Sequence, residues 1–150
     1  MATKEAEGAD WRSPKRVHSE VRLRAQPLAR RRVLVVDDEP LIRLFVARAL
    51  RAAGYEVIEA DSAERAIELL RTEGDSLSLL LSDVGLPGAS GAELVDHARR
   101  AFSSLPTQLM SATSKHWLVS QRVLKSDVDL LQKPFQLVDL LDRVDQLVAR

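Results

Sequence analysis

The sequence predicts a doubly wound α/β domain, a five-stranded parallel sheet with helices on both faces. Two observations carry this. From residue 32 onward, five short β-rich runs alternate with five stretches of helical periodicity within about 120 residues. The punctuation between them also belongs to helix starts and stops rather than hairpins. Such an alternation closes by right-handed crossovers into a parallel sheet.

The elements follow in order. Arg32 to Val36 reads as the first strand. Pro40 suits a first helical position, Leu41, Leu44, Phe45 and Ala49 share one stripe of that helix, and Gly54 follows it. Tyr55 to Glu59 reads as the second strand, and Ala63, Ala66, Ile67 and Leu70 as the core stripe of the second helix. The third strand is Ser78 to Ser82. After it, Ser90 and Glu93 have capping-box spacing ahead of a stripe of Leu94, Val95 and Ala98. Thr107 to Ser111 is the fourth strand, followed by a helix containing Trp117. Val128 to Leu131 is the fifth strand, and a last helix from about Gln136 to Val148 places Leu137, Leu140, Leu141, Val144 and Leu147 on one side.

Charge divides the chain differently. The 150 residues carry 22 basic and 22 acidic side chains, so bulk charge makes no case for nucleic-acid or membrane binding. Residues 1–32 nevertheless hold nine basic against four acidic residues, a net +5, which leaves −5 on residues 33–150. Residues 1–31 lack periodic large apolar positions and contain Pro14 and Pro27, so they read as a mostly disordered basic arm ahead of a domain spanning 32–150. Such an arm suits RNA, acidic lipid or an acidic partner surface, or is a solvated leader. Only four apolar residues separate Arg32 from Asp37, too few for the roughly 7–15 of a secretion signal. No apolar run approaches the roughly 18–20 residues of a membrane span. The absence of cysteine removes disulfides, thiolate zinc sites and cysteine nucleophiles, and fits a reducing, cytoplasmic setting.

A doubly wound sheet keeps its site at the carboxyl ends of its strands. Strand 1 runs into Asp37-Asp38-Glu39, strand 3 into Asp83, strand 4 ends at Ser111, and Lys133-Pro134 follows strand 5. Two carboxylates about 4 Å apart repel by roughly 4 kcal/mol at an effective dielectric near 20, so this cluster calls for a cation. Hard oxygen donors favour magnesium or manganese over zinc or copper. Neither G-x-G-x-x-G nor a Walker lysine motif occurs, and the acidic turn after strand 1 would repel a free nucleotide phosphate. With a cation in place the edge could accept a phosphoryl group. Asp83 is then the natural nucleophile, with Lys133 and Ser111 supplying an ammonium and a hydroxyl for the transferring oxygens.

The features occur in a fixed order: Asp37-Asp38, then Asp83 within Leu81-Ser82-Asp83-Val84-Gly85-Leu86-Pro87-Gly88 with Gly91 beyond, then Ser111-Ala112, then Lys133-Pro134-Phe135. In this combination residues 32–150 resemble the receiver domain of two-component response regulators. The resemblance implies a flavodoxin-like (βα)5 fold with strand order 2-1-3-4-5. It implies Asp83 as phosphoacceptor, taking its phosphoryl group from a histidine kinase or histidine phosphotransfer protein. Mg2+, or Mn2+ in its place, would be held by Asp38, Asp83 and the Gly85 carbonyl, with Asp37 helping through water. Ser111 would be the switch hydroxyl, the Ala112 backbone N–H a phosphoryl contact, and Lys133 the phosphoryl-pairing cation ahead of a cis bond to Pro134. The helix 4, strand 5 and helix 5 surface would then repack to bind a downstream protein target or a second copy, or phosphate would be passed on. The family's coupled aromatic on strand 5 corresponds here to Leu130.

The expectation is thus a single-domain phosphorylatable regulator without a DNA-binding domain. It is not an enzyme beyond self-phosphorylation from small donors and autodephosphorylation. Two rivals stand beside it. A receiver-type binding module would work without phosphate. A magnesium-dependent aspartyl phosphohydrolase would want Asp-x-Asp after strand 1, whereas this chain has adjacent Asp37-Asp38. Trp117 reads either as an exposed anchor or as a partly buried core residue, and His97 as part of a solvated helix face rather than a phosphotransfer histidine. Ile42 and Phe45 read mainly as core, with a share in docking a histidine-bearing helix pair.

Overall fold

A computed structural model of the chain describes residues 31–149. The arm reading falls on residues outside that range except for Arg31. Five parallel strands form one sheet in the order β2-β1-β3-β4-β5. The elements are β1 Arg32–Val36, α1 Pro40–Ala52, β2 Glu56–Ala60, α2 Ala63–Glu73, a 3-10 turn Gly74–Ser76, β3 Leu77–Asp83, α3 Gly91–Ala101, β4 Thr107–Ser111, α4 Lys115–Ser120, β5 Leu130–Gln132 and α5 Leu137–Val148.

Strand alternation sends side chains to two cores. Val33, Val35, Leu79, Leu81 and Met110 pack with Val46 and Leu50 of α1 and Leu140 and Val144 of α5. Leu34, Val36, Leu80 and Leu109 face the other way, toward Ala66 and Leu70 of α2, Leu94 and Ala98 of α3, and Leu118 of α4. The helices begin where the sequence indicates. Ser62 Oγ accepts from Arg65 N at α2, and Ser90 and Glu93 form a complete capping box at α3.

Three expectations change. Three of the four residues read as the core stripe of α1 point outward: Leu41 is 79% exposed, Phe45 50% and Leu44 40%, while Val46, Ala47 and Leu50 are buried and Ala49, with Ile42, packs against the core as expected. That helix is apolar on both sides, so spacing alone does not choose its inner face. In α5, Leu137 is exposed while Leu140, Val144 and Leu147 are buried, because the chain enters the helix from the sheet edge and only its second turn reaches the core. The fifth strand is Leu130–Gln132, not Val128–Leu131, and pairs with β4 only at Leu109–Ser111. Smaller shifts put β2 one residue later and extend β3 to Leu77–Asp83. The helix after β5 starts at Leu137, with Gln136 as its N-cap.

The register aligns the strand ends. Val36 pairs with Ala60 and Ser82, Asp83 with Met110, and Ser111 with Gln132. Asp37, Asp83, Ser111 and Lys133 therefore all lie within a residue of one edge.

Candidate functional site

Each side chain at this edge is placed by the backbone behind it. Asp37 follows β1 and is fully buried; its N–H donates to the Ala60 carbonyl, which holds the turn against β2. Its carboxylate is committed on both oxygens. Oδ1 accepts the Glu39 N–H at 3.0 Å and Oδ2 accepts Lys133 Nζ at 2.8 Å. Its carbonyl accepts Arg43 Nη1 at 2.7 Å, and Arg43 Nε in turn pairs with Glu59 at 3.2 Å. Arg43 was not singled out from the sequence. The available signal was a cation three residues into the helix after an acidic turn, opposite a glutamate near the end of β2.

Asp83 closes β3 and is 8% exposed. Behind it the chain is tight. Val84 N–H donates to the Met110 carbonyl, and Gly91 N–H donates to the Val84 carbonyl at 2.8 Å. A Cβ on Gly91 would lie 1.9 Å from the Asp83 carbonyl oxygen, so only glycine lets α3 start this close to the strand end. In the same loop Gly88 has φ +74, a left-handed conformation that suits glycine. Gly85, two residues past Asp83, is exposed, and a Cβ there would stand 3.8 Å from Asp83 Oδ2, which sets its backbone beside the carboxylate.

Lys133 joins the two buried acids. Its Nζ lies 2.8 Å from Asp37 Oδ2 and 3.0 Å from Asp83 Oδ1, with Glu39 Oε1 at 4.0 Å. The following peptide, to Pro134, is cis. Burial pushes the Asp83 carboxyl above the usual carboxylate range; Lys133 pulls it back in part, while Asp37 and Asp38 push with the burial. For Lys133 burial works downward, but its hydrogen bonds to Asp37 and Asp83 outweigh it, so the ammonium is held charged above its usual range.

Ser111 ends β4 and is buried, and the exposed Ala112 follows it. Its Oγ accepts the Thr113 N–H at 2.9 Å, a bond that does not use the hydroxyl hydrogen. Trp117, on α4, is 52% exposed, which decides for the surface reading. His97 is half-buried on α3, among exposed Asp96, Arg99 and Arg100, away from this edge.

Asp37, Asp38 and Asp83 each offer a carboxylate oxygen, all within 4.8 Å of one another. Asp38 is exposed while the other two are buried, so the cluster opens to solvent on one side. A donor set made only of hard oxygens fits Mg2+ or Mn2+, which bind one or two carboxylates and keep several waters.

The comparisons agree with this geometry. A family model described as the response regulator receiver domain matches residues 33–145. The response regulator receiver protein CpdR of Brucella abortus is 30% identical over 118 residues, 79% of this chain and 97% of CpdR. The uncharacterized transcriptional regulatory protein YrkP of Bacillus subtilis is 35% identical over 113 residues, 75% of this chain and 47% of YrkP. The chain spans under half the length of several curated relatives that it matches. Among solved structures, the response regulator protein TrrA from Thermotoga maritima, in complex with Mg2+-BeF, is similar with a TM-score of 0.66 at 28% identity. That match covers 78% of this chain and 98% of TrrA.

Proposed function

Because the chain belongs to the response regulator receiver domain family of two-component signalling, signalling proteins rather than enzymes, we propose that it is switched by phosphorylation of Asp83. The donor in this reading is a phosphohistidine on a histidine kinase or a histidine phosphotransfer protein. One observation carries the assignment: Lys133 Nζ sits 2.8 Å from Asp37 and 3.0 Å from Asp83, beside the Ser111 strand end. Asp37 has both oxygens engaged, whereas Asp83 is held through Oδ1 and keeps Oδ2 for attack.

The chemistry balances simply. An Asp83 oxygen forms a bond to phosphorus as the P–N bond of the phosphoimidazole breaks. The imidazole nitrogen keeps the electron pair and takes a proton. The products are an acyl phosphate and a neutral histidine. Asp37, Asp38 and Asp83, with the Gly85 carbonyl, are the groups that would hold Mg2+, and the ion would supply positive charge to the phosphoryl oxygens. Lys133 would pair with a second phosphoryl oxygen, and the Ser111 hydroxyl and the Ala112 N–H would donate to a third.

The added charge of about −1.5 to −2 would draw Ser111 and Lys133 toward Asp83 and shift the α4, β5 and α5 surface between two populated states. A downstream protein or a second copy would read that surface, and Trp117 lies on it. Exposed Leu41, Leu44 and Phe45 on α1, just past the Asp37-Asp38 turn, offer the donor's helix pair an apolar footing.

The test is intact mass after incubation with Mg2+ and a small phosphodonor. Wild type should gain one phosphoryl group and Asp83→Asn none. Equal labelling of both proteins would move the acceptor elsewhere, and labelling of neither would favour a module that binds without phosphate.

A further inference from the structure

Resting on that reading for its functional meaning, we propose that Gln132 is a positioning residue whose side-chain amide latches the β4–α4 loop and sets how readily Ser111 moves toward Asp83. Gln132 is the last residue of β5 and the register partner of Ser111. Its Nε2 donates to the Ser111 carbonyl at 3.0 Å and, more weakly, to the Thr113 carbonyl at 3.4 Å and its neighbour Lys133 at 3.5 Å. Among the described residues no other side chain donates to the Ser111 or Thr113 carbonyl.

Two kinds of bond therefore hold the loop to β5. The Lys133 N–H donates to the same Ser111 carbonyl at 2.8 Å, but that bond belongs to the strand ladder and cannot open without parting β4 from β5. The Gln132 amide can let go by a rotamer change alone. The Ser111 carbonyl stays on the ladder, but Thr113 lies beyond Ala112, so a shift that carries the Ser111 side chain, Ala112 and Thr113 toward Asp83 must break or re-aim the amide's bond to the Thr113 carbonyl. Leu130, two residues earlier on the same side of β5, packs into the core and leaves the loop to Gln132. A single neutral hydrogen bond of this kind shifts a two-state equilibrium by roughly five-fold.

Gln132→Met keeps the length of the side chain and its neutrality while removing the donor, at an exposed position where folding is not at stake. In a Trp11→Phe background, Trp117 fluorescence reports α4, which starts just after the loop. Titrating Mg2+-loaded protein with beryllofluoride should give a midpoint roughly five-fold lower for Gln132→Met, with Mg2+ affinity by calorimetry unchanged. Without fluoride, hydrogen exchange at the Thr113 amide should quicken by a similar factor. An unaltered or higher midpoint in a responding wild type overturns the latch, as does unaltered exchange. A wild type that binds no beryllofluoride overturns the phosphoacceptor reading instead, and the latch then stands or falls on the exchange rate.

Discussion

Asp83→Asn should make the metal-free protein more stable. Asp37 and Asp38 each hold an oxygen within 4.8 Å of Asp83, so each repels it by about 3.5 kcal/mol or more at an effective dielectric near 20. Asp38 is exposed and screened, which brings the pair to about 5 kcal/mol together. Lys133 at 3.0 Å returns about 5.5 kcal/mol. These opposing charges nearly cancel, so the sign is set by the cost of burying an ionised carboxylate that is 8% exposed. The net gain from the neutral amide should be about 2 kcal/mol, or roughly 6–12 °C in Tm for a domain of this size. The assay is thermal unfolding with EDTA at pH 7. Because the folded pKa of Asp83 is raised, its penalty is absent below the unfolded value, where the carboxyl is neutral in both states, grows as pH rises above that value, and is complete once pH has passed the folded one. The gap between the two proteins should therefore close toward pH 4, and close again at pH 7 under saturating Mg2+, which stabilises wild type selectively. A less stable Asp83→Asn in EDTA, or a gap indifferent to pH, would refute the idea that this edge is strained by its own charge.

Four other outcomes follow from the geometry. Lys133→Met leaves the fully buried Asp37 without its cation and should cost about 3–5 kcal/mol in urea unfolding, partly recovered with Mg2+. Gly91→Ala drives a methyl into the Asp83 carbonyl and should cost about 3 kcal/mol or more, with a matching loss of phosphoryl acceptance in the labelling assay. Leu41→Ser with Phe45→Ser should leave stability within about 0.5 kcal/mol per site yet slow transfer from a phosphohistidine protein by roughly ten-fold or more, with small-donor labelling unaffected. Tyr55, hydrogen-bonded to Asp145, has its pKa raised by burial first and by that carboxylate second. Its stabilising contribution is full below pH 10 and declines above it, so the Tm advantage over Tyr55→Phe should shrink as pH climbs past 10.

The sheet was readable because β-rich runs and helical stretches alternate without ambiguity, and a parallel sheet then brings its carboxyl ends together whatever the details. Asp37, Asp83, Ser111 and Lys133 converge for that reason. The inner face of α1 was not readable. Leu41, Leu44 and Phe45 repeat with the same period as Val46, Ala47 and Leu50, and only the sheet decides between them. Nor was the short β5, since Val128 lies between Asp127 and Asp129 and the β4 partner ends at Ser111. Arg43 and Gln132 act through backbone carbonyls, and no pattern of residue types announces which carbonyl a side chain will find. Gly91 gave a usable hint, a glycine directly after an N-cap serine, where close backbone approach is a standard reason for the residue.

The placement of β1 between β2 and β3 bears on the order of assembly during folding. Asp37 and Asp83 meet when β1 and β3 pair, which needs only the chain up to residue 83, whereas Lys133 reaches Asp37 across 96 residues of sequence. Contacts that distant are slow to form because a long loop must close first. A folding chain would thus hold its acids together before their cation arrives, and a divalent metal on the Asp37, Asp38 and Asp83 cluster would act as a temporary stand-in for the ammonium. Refolding that quickens with added Mg2+ in wild type, but not in Asp83→Asn, would be the kinetic mark of that sequence of events.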